Sequence, residues 1–91
     1  MNQERLTVYF SGSVQGVGFR FTALRISEAY KVTGYIRNLR DGRVELVVEG
    51  EPKELEEFLN AINKRMSTYI RNVEERRTPA TGEFKMFGIR H

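Results

Sequence analysis

The stretch Gly12–Arg20 reads Gly-Ser-Val-Gln-Gly-Val-Gly-Phe-Arg and places three glycines within seven residues. It follows an apolar run, Leu6–Phe10, whose alternation of apolar and polar residues predicts a half-buried strand. A glycine-rich loop that leads from a strand into a helix turns backbone N–H groups toward one point, where the helix dipole favours an anion. The stretch therefore predicts a small anion-binding loop, with the guanidinium of Arg20 at its edge as a partner for phosphate.

The helix after this loop is predicted to run from about Phe19 to Lys31. Residues at helical spacing form a stripe that would pack on a sheet: Phe19, Ala23, Ile26 and Tyr30. Two further apolar residues, Phe21 and Leu24, lie off this stripe. Their positions would be explained if another part of the protein covered a second side of the helix.

The rest of the chain alternates between strand and helix patterns. The predicted elements are a strand over Thr33–Arg40, a strand over Arg43–Glu49, a helix that begins at Pro52, a strand over Tyr69–Arg77 and a short strand over Phe84–Arg90. The resulting βαββαβ order predicts the α+β class and a ferredoxin-like sandwich, as one domain over residues 1–91. Its sheet would have four to five strands, mostly antiparallel, with both helices on one face.

A second functional residue follows from this topology. A right-handed crossover through the first helix makes the first two strands parallel, so that their C-terminal ends lie at the same edge of the sheet. Asn38 ends the second strand and shares a strand face with the apolar Ile36, which should point toward the helices. We therefore expect the side chain of Asn38 to meet Arg20 and the glycine loop. The alternative is that Asn38 caps the hairpin at Asp41-Gly42 through its side chain.

Composition excludes several classes of site. The chain has 91 residues, a net charge of +3 and no cysteine, so that disulfides, thiolate nucleophiles and thiolate metal sites are excluded. Its one histidine, His91, and its one aspartate, Asp41, are too few for a metal centre or a Ser-His-Asp triad. No apolar run is long enough to span a membrane, no secretory signal pattern is present, and we expect a cytoplasmic protein with no cofactor.

The glycine loop also differs from the common phosphate-binding motifs. A dinucleotide fingerprint requires glycine where Phe21 stands, and a Walker A loop requires Gly-Lys-Ser/Thr where Gly18-Phe19-Arg20 stands. A phosphoryl site made of backbone amides, one arginine and one asparagine remains. Such a site can work by positioning and charge neutralisation, with Asn38 orienting a water for in-line attack. Because no strong general acid is available, the leaving group must depart without protonation, as the carboxylate of a mixed carboxylic–phosphoric anhydride does.

Further motifs follow the stretch Gly12–Arg20: Gly34-Tyr35-Ile36-Arg37-Asn38, Asp41-Gly42-Arg43-Val44 and Gly50, with Gly82-Glu83-Phe84 and Phe87-Gly88-Ile89-Arg90 at the end. With these motifs the sequence resembles the acylphosphatase family over essentially its whole length. The resemblance implies a ferredoxin-like fold and the hydrolysis of acyl phosphates to carboxylate and inorganic phosphate without a metal. By position, Arg20 matches the family's phosphate-binding arginine and Asn38 its water-orienting asparagine.

The backbone of the loop is expected to hold the substrate phosphate through Ser13, Val14, Gln15, Gly16, Val17, Gly18 and Phe19. Three positions depart from the family pattern. Phe10 replaces an aliphatic residue and Ile36 a smaller one, which should affect packing only. Ala23 stands where many members have threonine, so a hydroxyl that could support the site is missing and the turnover rate is in question.

Three other interpretations are open at this point. The glycines could form an ordinary tight connection between strand and helix. The βαββαβ order also occurs in RNA-recognition domains, but the third strand would offer Arg43, Glu45, Val47 and Glu49 on its open face, without an aromatic ring for stacking. Domains that resemble this one also begin large hydrogenase-maturation carbamoyltransferases, where they handle carbamoyl phosphate. We expect a free-standing monomeric enzyme with a small-molecule acyl phosphate substrate and no nucleic-acid or membrane partner.

Overall fold

A computed structural model describes residues 2–91. Its elements are β1 (Glu4–Gly12), α1 (Phe19–Ser27), β2 (Val32–Asn38), β3 (Val44–Gly50), α2 (Pro52–Arg65), β4 (Ile70–Pro79) and β5 (Phe87–Ile89). The strands form one mixed sheet in the order β4-β1-β3-β2-β5. The predicted α+β class and ferredoxin-like βαββαβ arrangement are confirmed, with β5 as the fifth strand.

The register of the sheet brings the ends of β1 and β2 together. The central strand β3 is antiparallel to both, so that β1 and β2 run in the same direction. Phe10 of β1 and Asn38 of β2 both pair with Val44, one on each side of β3. β5 is parallel to β2 and pairs Ile89 with Ile36, so that the chain beyond Ile89 continues toward this same edge of the sheet.

The core lies between the sheet and the two helices. The alternating residues of β1 are fully buried, as predicted, and α2 buries the stripe Leu55, Phe58, Leu59, Ile62 and Met66. In α1, Phe19 and Ala23 are buried, and the ring of Phe19 lies 4.9 Å from that of Phe10. Within residues 2–91, neither helix has the length and hydrophobicity that a membrane-spanning helix requires.

The largest differences from the predicted boundaries are at the end of α1 and at the start of the last strand. Helix α1 ends at Ser27, four residues before the predicted end at Lys31, and the backbone N–H groups of Ala29 and Tyr30 bond to carbonyls three residues back, which tightens the chain into turns. The last strand begins at Phe87 instead of Phe84. In the loop before it, the N–H groups of Thr81 and Gly82 donate to the carboxylate of Glu49, each at 2.9 Å.

The face of the sheet opposite the helices is less open than the sequence suggested. Glu45 and Glu49 are 7% and 2% exposed, although alternation places both on this face. Glu49 is paired with Arg5 at 2.8 Å, while Glu45 accepts hydrogen bonds from Tyr9, Tyr35 and Arg37. Burial, together with this shared carboxylate, raises the pKa of both tyrosine hydroxyls.

Candidate active site

Two glycines of the loop hold a backbone conformation that other residues avoid. Gly18 caps the N-terminus of α1 with φ 77° and ψ 20°, and Gly16 has φ 79°. A Cβ atom on either residue would meet no heavy atom within 4 Å. The left-handed backbone, and not crowding, is therefore what favours glycine here, because a side chain costs about 1–2 kcal/mol in that conformation.

The start of the loop is fixed to the body of the protein. The N–H of Ser13 donates to the carbonyl oxygen of Tyr69 at 2.9 Å, just before β4. We expected this amide to face the substrate phosphate, but the structure uses it to hold the loop. The side chain of Val14 is completely buried in the core, and Val17 packs against the same core.

The middle of the loop is tied to the turn between β2 and β3. The side-chain amide of Gln15 donates to the main-chain carbonyl oxygens of Leu39 at 2.8 Å and Arg43 at 3.0 Å. Both acceptors belong to the turn that directly follows Asn38. Sequence reasoning gave Gln15 only a backbone role and missed this contact, because nothing local in the sequence relates residue 15 to residue 39.

One small pocket is lined by most of the predicted site residues. It has a volume of about 110 Å³ and is lined by Val14, Gly16, Gly18, Phe19, Arg20, Phe21 and Asn38. Four of the seven predicted loop residues therefore line it, whereas Ser13, Gln15 and Val17 do not. Arg20 and Asn38, which are 18 positions apart in the sequence, border the same space. The lining contains one cationic group and no carboxylate, which suits an anion.

Asn38 is oriented by β2. Ile36, two residues earlier on the same face, is fully buried, and Asn38 is half-buried beside the pocket. Within residues 2–91, the Asn38 side chain makes no hydrogen bond with another protein group. The turn is instead capped by Asp41, whose carboxylate accepts from the N–H of Arg43 at 3.1 Å and binds its guanidinium. The Asn38 amide is thus not used to cap the hairpin.

Arg20 lies in the first turn of α1, where unpaired backbone N–H groups and the helix dipole favour negative charge. That first turn contains no acidic residue. Among residues 2–91, no carboxylate forms an ion pair with Arg20. Its guanidinium instead lies 3.4 Å from the ring nitrogen Nδ1 of His91. A guanidinium in this position can bind an incoming anion without first breaking an ion pair.

His91 is a neighbour of the pocket that sequence reasoning missed. The parallel pairing of β5 with β2 extends to a hydrogen bond from the N–H of Arg90 to the carbonyl oxygen of Ile36, at 2.9 Å. The next residue therefore reaches the edge where β2 ends. To predict this contact, one would have to know that the last strand pairs with β2. The order of the elements alone does not reveal that pairing.

A larger depression lies on the opposite face of the sheet. Its volume is about 410 Å³, and its lining includes Tyr9, Tyr35 and Glu45. The tyrosine hydroxyls are already bonded to Glu45, and arginines cover the rings: the guanidinium of Arg43 lies 4.6 Å from the ring centre of Tyr9, and that of Arg90 lies 4.0 Å from that of Tyr35. These rings offer little free surface for stacking a nucleic-acid base.

Metal ligands are also scarce across the part of the chain that the structure describes. No three side chains of histidine, cysteine, aspartate or glutamate in residues 2–91 come together as a metal-binding group. The pocket next to Arg20 contains only amides, one guanidinium and apolar groups. Its chemistry therefore depends on hydrogen bonds and one fixed positive charge.

Known proteins resemble this chain in sequence and in fold. Residues 6–89 match the family model described as Acylphosphatase. An acylphosphatase of Methanospirillum hungatei is 38% identical over 89 residues, which cover 96% of this chain and 97% of that protein. The crystal structure of acylphosphatase from Bacillus subtilis superimposes with a TM-score of 0.87 at 25% identity, and covers 97% of this chain and 99% of that one.

A longer protein contains a similar unit. The crystal structure of HypF from T. kodakarensis superimposes with a TM-score of 0.82 at 30% identity, but the match covers 97% of this chain and only 12% of HypF. The match with the M. hungatei protein, by contrast, covers 97% of that protein, and the family model matches residues 6–89 of this chain. The chain therefore belongs to the acylphosphatase family of enzymes.

Proposed function

We propose that this enzyme hydrolyses the carboxyl–phosphate bond of acyl phosphates, without a metal ion, in the pocket between the glycine loop and Asn38. The observation that supports this most directly is that Arg20, Asn38 and the loop glycines Gly16 and Gly18 line one pocket. The pocket combines a site for a phosphoryl group with an uncharged amide that can bind water. A cofactor has no role in the proposed reaction.

The phosphoryl group would be bound at the N-terminal end of α1. Backbone N–H groups from Gly16 to Phe19 and the guanidinium of Arg20 are the donors, and the dipole of α1 adds favourable potential. An arginine fork can donate two parallel hydrogen bonds to phosphoryl oxygens and stay charged at any physiological pH. These donors would stabilise the charge on the equatorial oxygens as the transition state forms.

Asn38 would hold the attacking water. Its carbonyl oxygen accepts a hydrogen bond from the water, and its NH₂ group can donate to a phosphoryl oxygen. The water oxygen forms a bond to phosphorus while the bond from phosphorus to the carboxylate oxygen breaks. The carboxylate leaves with the electron pair, and the proton of the water passes to the phosphate product or to solvent.

The nature of the leaving group follows from the lining of the pocket. No carboxylic acid, thiol or imidazole lies among the lining residues, so that no lining group can protonate a poor leaving group. A carboxylate leaves without protonation, whereas an alkoxide does not. Acyl phosphates should therefore react and simple phosphate monoesters should not.

The test is hydrolysis of benzoyl phosphate by the wild type and by Asn38→Ala in the presence of EDTA, with benzyl phosphate, an ester whose leaving group is an alkoxide, as the comparison substrate. We expect turnover of benzoyl phosphate, loss of most of it in the variant, and no turnover of the ester. Inhibition by EDTA that a divalent ion reverses would contradict the metal-independent mechanism. Hydrolysis of the ester at a similar rate would contradict the assignment of substrate class.

Carbamoyl phosphate is a second candidate substrate, because the sequence also resembles the first domain of hydrogenase-maturation carbamoyltransferases, which handles this compound. It is also a mixed anhydride of phosphoric acid, and the same pocket would bind its phosphoryl end. Competition between carbamoyl phosphate and benzoyl phosphate in the assay above compares their kcat/KM values. A much higher kcat/KM for carbamoyl phosphate would favour a specialised carbamoyl-phosphate enzyme.

We also propose that the enzyme acts as a monomer in the cytoplasm. The residues of the proposed site all come from a single chain, so that catalysis requires no second subunit. The lack of cysteine agrees with a reducing compartment. Sedimentation at micromolar concentration and fractionation of cells that express the protein would test these two points.

A further inference from the structure

Phe21 is the one phenylalanine that the fold leaves exposed. Its exposed fraction is 64%, whereas Phe10, Phe19, Phe58 and Phe87 are buried and the remaining phenylalanine is half-buried. Phenylalanine gains more free energy from burial than most residues. The sequence suggested that a second side of α1 is covered by other residues. At Phe21 that side is not covered.

The position of Phe21 connects this exposed ring with the site. It follows Arg20 in the first turn of α1 and lines the same 110 Å³ pocket as Arg20 and Asn38. Exposed apolar residues are common on protein surfaces, and exposure alone has no functional meaning. Here the exposed ring borders a pocket that is too small to enclose more than the phosphoryl end of a substrate.

In-line attack separates the two sides of the phosphoryl group. The water that Asn38 holds must approach from one side, and the leaving carboxylate must depart on the other. The acyl substituent therefore has to lie outside the small pocket, against its rim. Of the lining residues that are neither backbone donors nor the water ligand, Val14 has a fully buried side chain and Arg20 binds the phosphoryl group, which leaves Phe21 at the rim.

We infer that Phe21 forms the binding site for the acyl group, and that the substrates are acyl phosphates with an uncharged apolar acyl group, either aromatic or branched aliphatic. This inference rests on the proposed function. The exposed ring would lose its contact with water when the acyl group covers it, which favours binding. A charged acyl group would find no opposite charge among the lining residues except the guanidinium that already binds phosphate.

The kinetic test compares benzoyl phosphate with acetyl phosphate for the wild type, Phe21→Ala and Phe21→Tyr. Loss of one ring contact should lower kcat/KM for benzoyl phosphate about fivefold in Phe21→Ala. The value for acetyl phosphate should stay within about twofold, and Phe21→Tyr should resemble the wild type. Inhibition by inorganic phosphate should be unchanged in both variants, because the phosphoryl donors are untouched. Alanine is a good helix former at an exposed position, so the fold should be retained.

Met86→Ala is the matched control, because Met86 is also strongly exposed, at 73%, and does not line the pocket. It should leave the ratio of the two kcat/KM values unchanged. An equal loss on both substrates in Phe21→Ala, or no loss on either, would overturn the assignment of Phe21.

A binding measurement separates this inference from the proposed function. Benzylphosphonate and methylphosphonate carry the same phosphoryl end and cannot be hydrolysed at the P–C bond. Calorimetric titration should show that the wild type prefers benzylphosphonate and that Phe21→Ala loses the preference. If benzoyl phosphate is not turned over but this preference is present, hydrolysis is refuted and the apolar subsite stands. Equal affinity of the wild type for the two phosphonates refutes the subsite, whether or not turnover occurs.

Discussion

The side-chain amide of Gln15 lies 2.8 Å from the main-chain carbonyl oxygen of Leu39 and so joins the glycine loop to the strand end that presents Asn38. The same NH₂ group reaches the carbonyl oxygen of Arg43 at 3.0 Å. The two halves of the pocket come from segments that are far apart in the chain. This contact fixes their separation without placing the Gln15 side chain in the pocket.

Gln15→Ala should therefore lower catalysis through positioning. A displacement of about 1 Å between catalytic groups can cost on the order of a hundredfold in rate, and we expect a loss of about tenfold or more in kcat/KM for benzoyl phosphate. Gln15→Asn, whose side chain is too short to reach both carbonyls, should not rescue it. Gln3→Ala is the control, since Gln3 is exposed at the N-terminal end. Normal kinetics in Gln15→Ala would show that the loop keeps its position without this contact.

Arg20→Ala should remove most of the affinity for phosphate. The guanidinium is the only charged donor of the pocket, and its loss should lower kcat/KM by about a thousandfold, comparable to the loss of an oxyanion donor. Titration with inorganic phosphate measures binding separately from turnover. Arg25→Ala, an exposed arginine on the same helix, should behave as the wild type. Undiminished phosphate affinity in Arg20→Ala is the result that would disprove the role of Arg20.

Asn38→Ala should lower kcat far more than it raises KM. The water that Asn38 orients matters in the transition state, whereas the phosphoryl group of the bound substrate is held by other donors. Initial-rate kinetics over a wide range of benzoyl phosphate concentrations separate the two constants, and Asn72→Ala on β4 provides an exposed asparagine as the control. A change confined to KM would assign Asn38 to substrate binding.

Gly18→Ala should destabilise the fold and weaken phosphate binding together. A left-handed residue with a Cβ costs about 1–2 kcal/mol, which should appear in the free energy of unfolding from urea denaturation. Relaxation of that strain would also move the first N–H groups of α1. Gly88→Ala is the control, because Gly88 lacks a positive φ and a Cβ there meets open space. Equal stability of the two variants would argue against a strained loop.

Acid should destabilise the protein in part through Glu49. Burial opposes its ionisation, but the N–H groups of Thr81 and Gly82 and the guanidinium of Arg5 hold its pKa below the ordinary value of 4.5. A carboxyl group whose pKa is lowered in the folded state stabilises the protein above its ordinary pKa. That contribution is lost as the pH falls through the folded-state pKa.

Glu49→Gln should lower the free energy of unfolding by about 2 kcal/mol at pH 7, because several hydrogen bonds to a charged group are weakened. Below pH 4.5, stability should decline less steeply in the variant than in the wild type. Urea denaturation between pH 7 and pH 3 measures both effects. Glu57→Gln, on an exposed position of α2, should follow the wild-type curve. Parallel pH profiles of stability for the wild type and Glu49→Gln would rule out the Glu49 carboxylate as a cause of the loss of stability in acid.

The sequence alone determined the fold class and the identities of the two polar residues beside the loop. Period-two alternation in Leu6–Phe10 and helical spacing in residues 52–66 are local patterns, and burial enforces them, so that the order of elements followed directly. A right-handed crossover through the first helix makes the first two strands parallel, so that their C-terminal ends lie at one edge of the sheet. For that reason the sequence predicts that Asn38 and Arg20 lie at one edge of the sheet, and both line the same pocket.

Only the tertiary structure decided which groups remain available at that edge. The N–H of Ser13 is bonded to the carbonyl oxygen of Tyr69, and the side chain of Gln15 is bonded to the β2–β3 turn. The ring of Phe21 remains exposed. The pairing of β5 beside β2 brings His91 to Arg20, and the carboxylate of Glu49 binds the N–H groups of residues 81 and 82. These contacts join residues that are 24 to 71 positions apart. Hydrogen bonds at such separations depend on the register of the whole sheet and on how its elements pack, and no local pattern of residues encodes these.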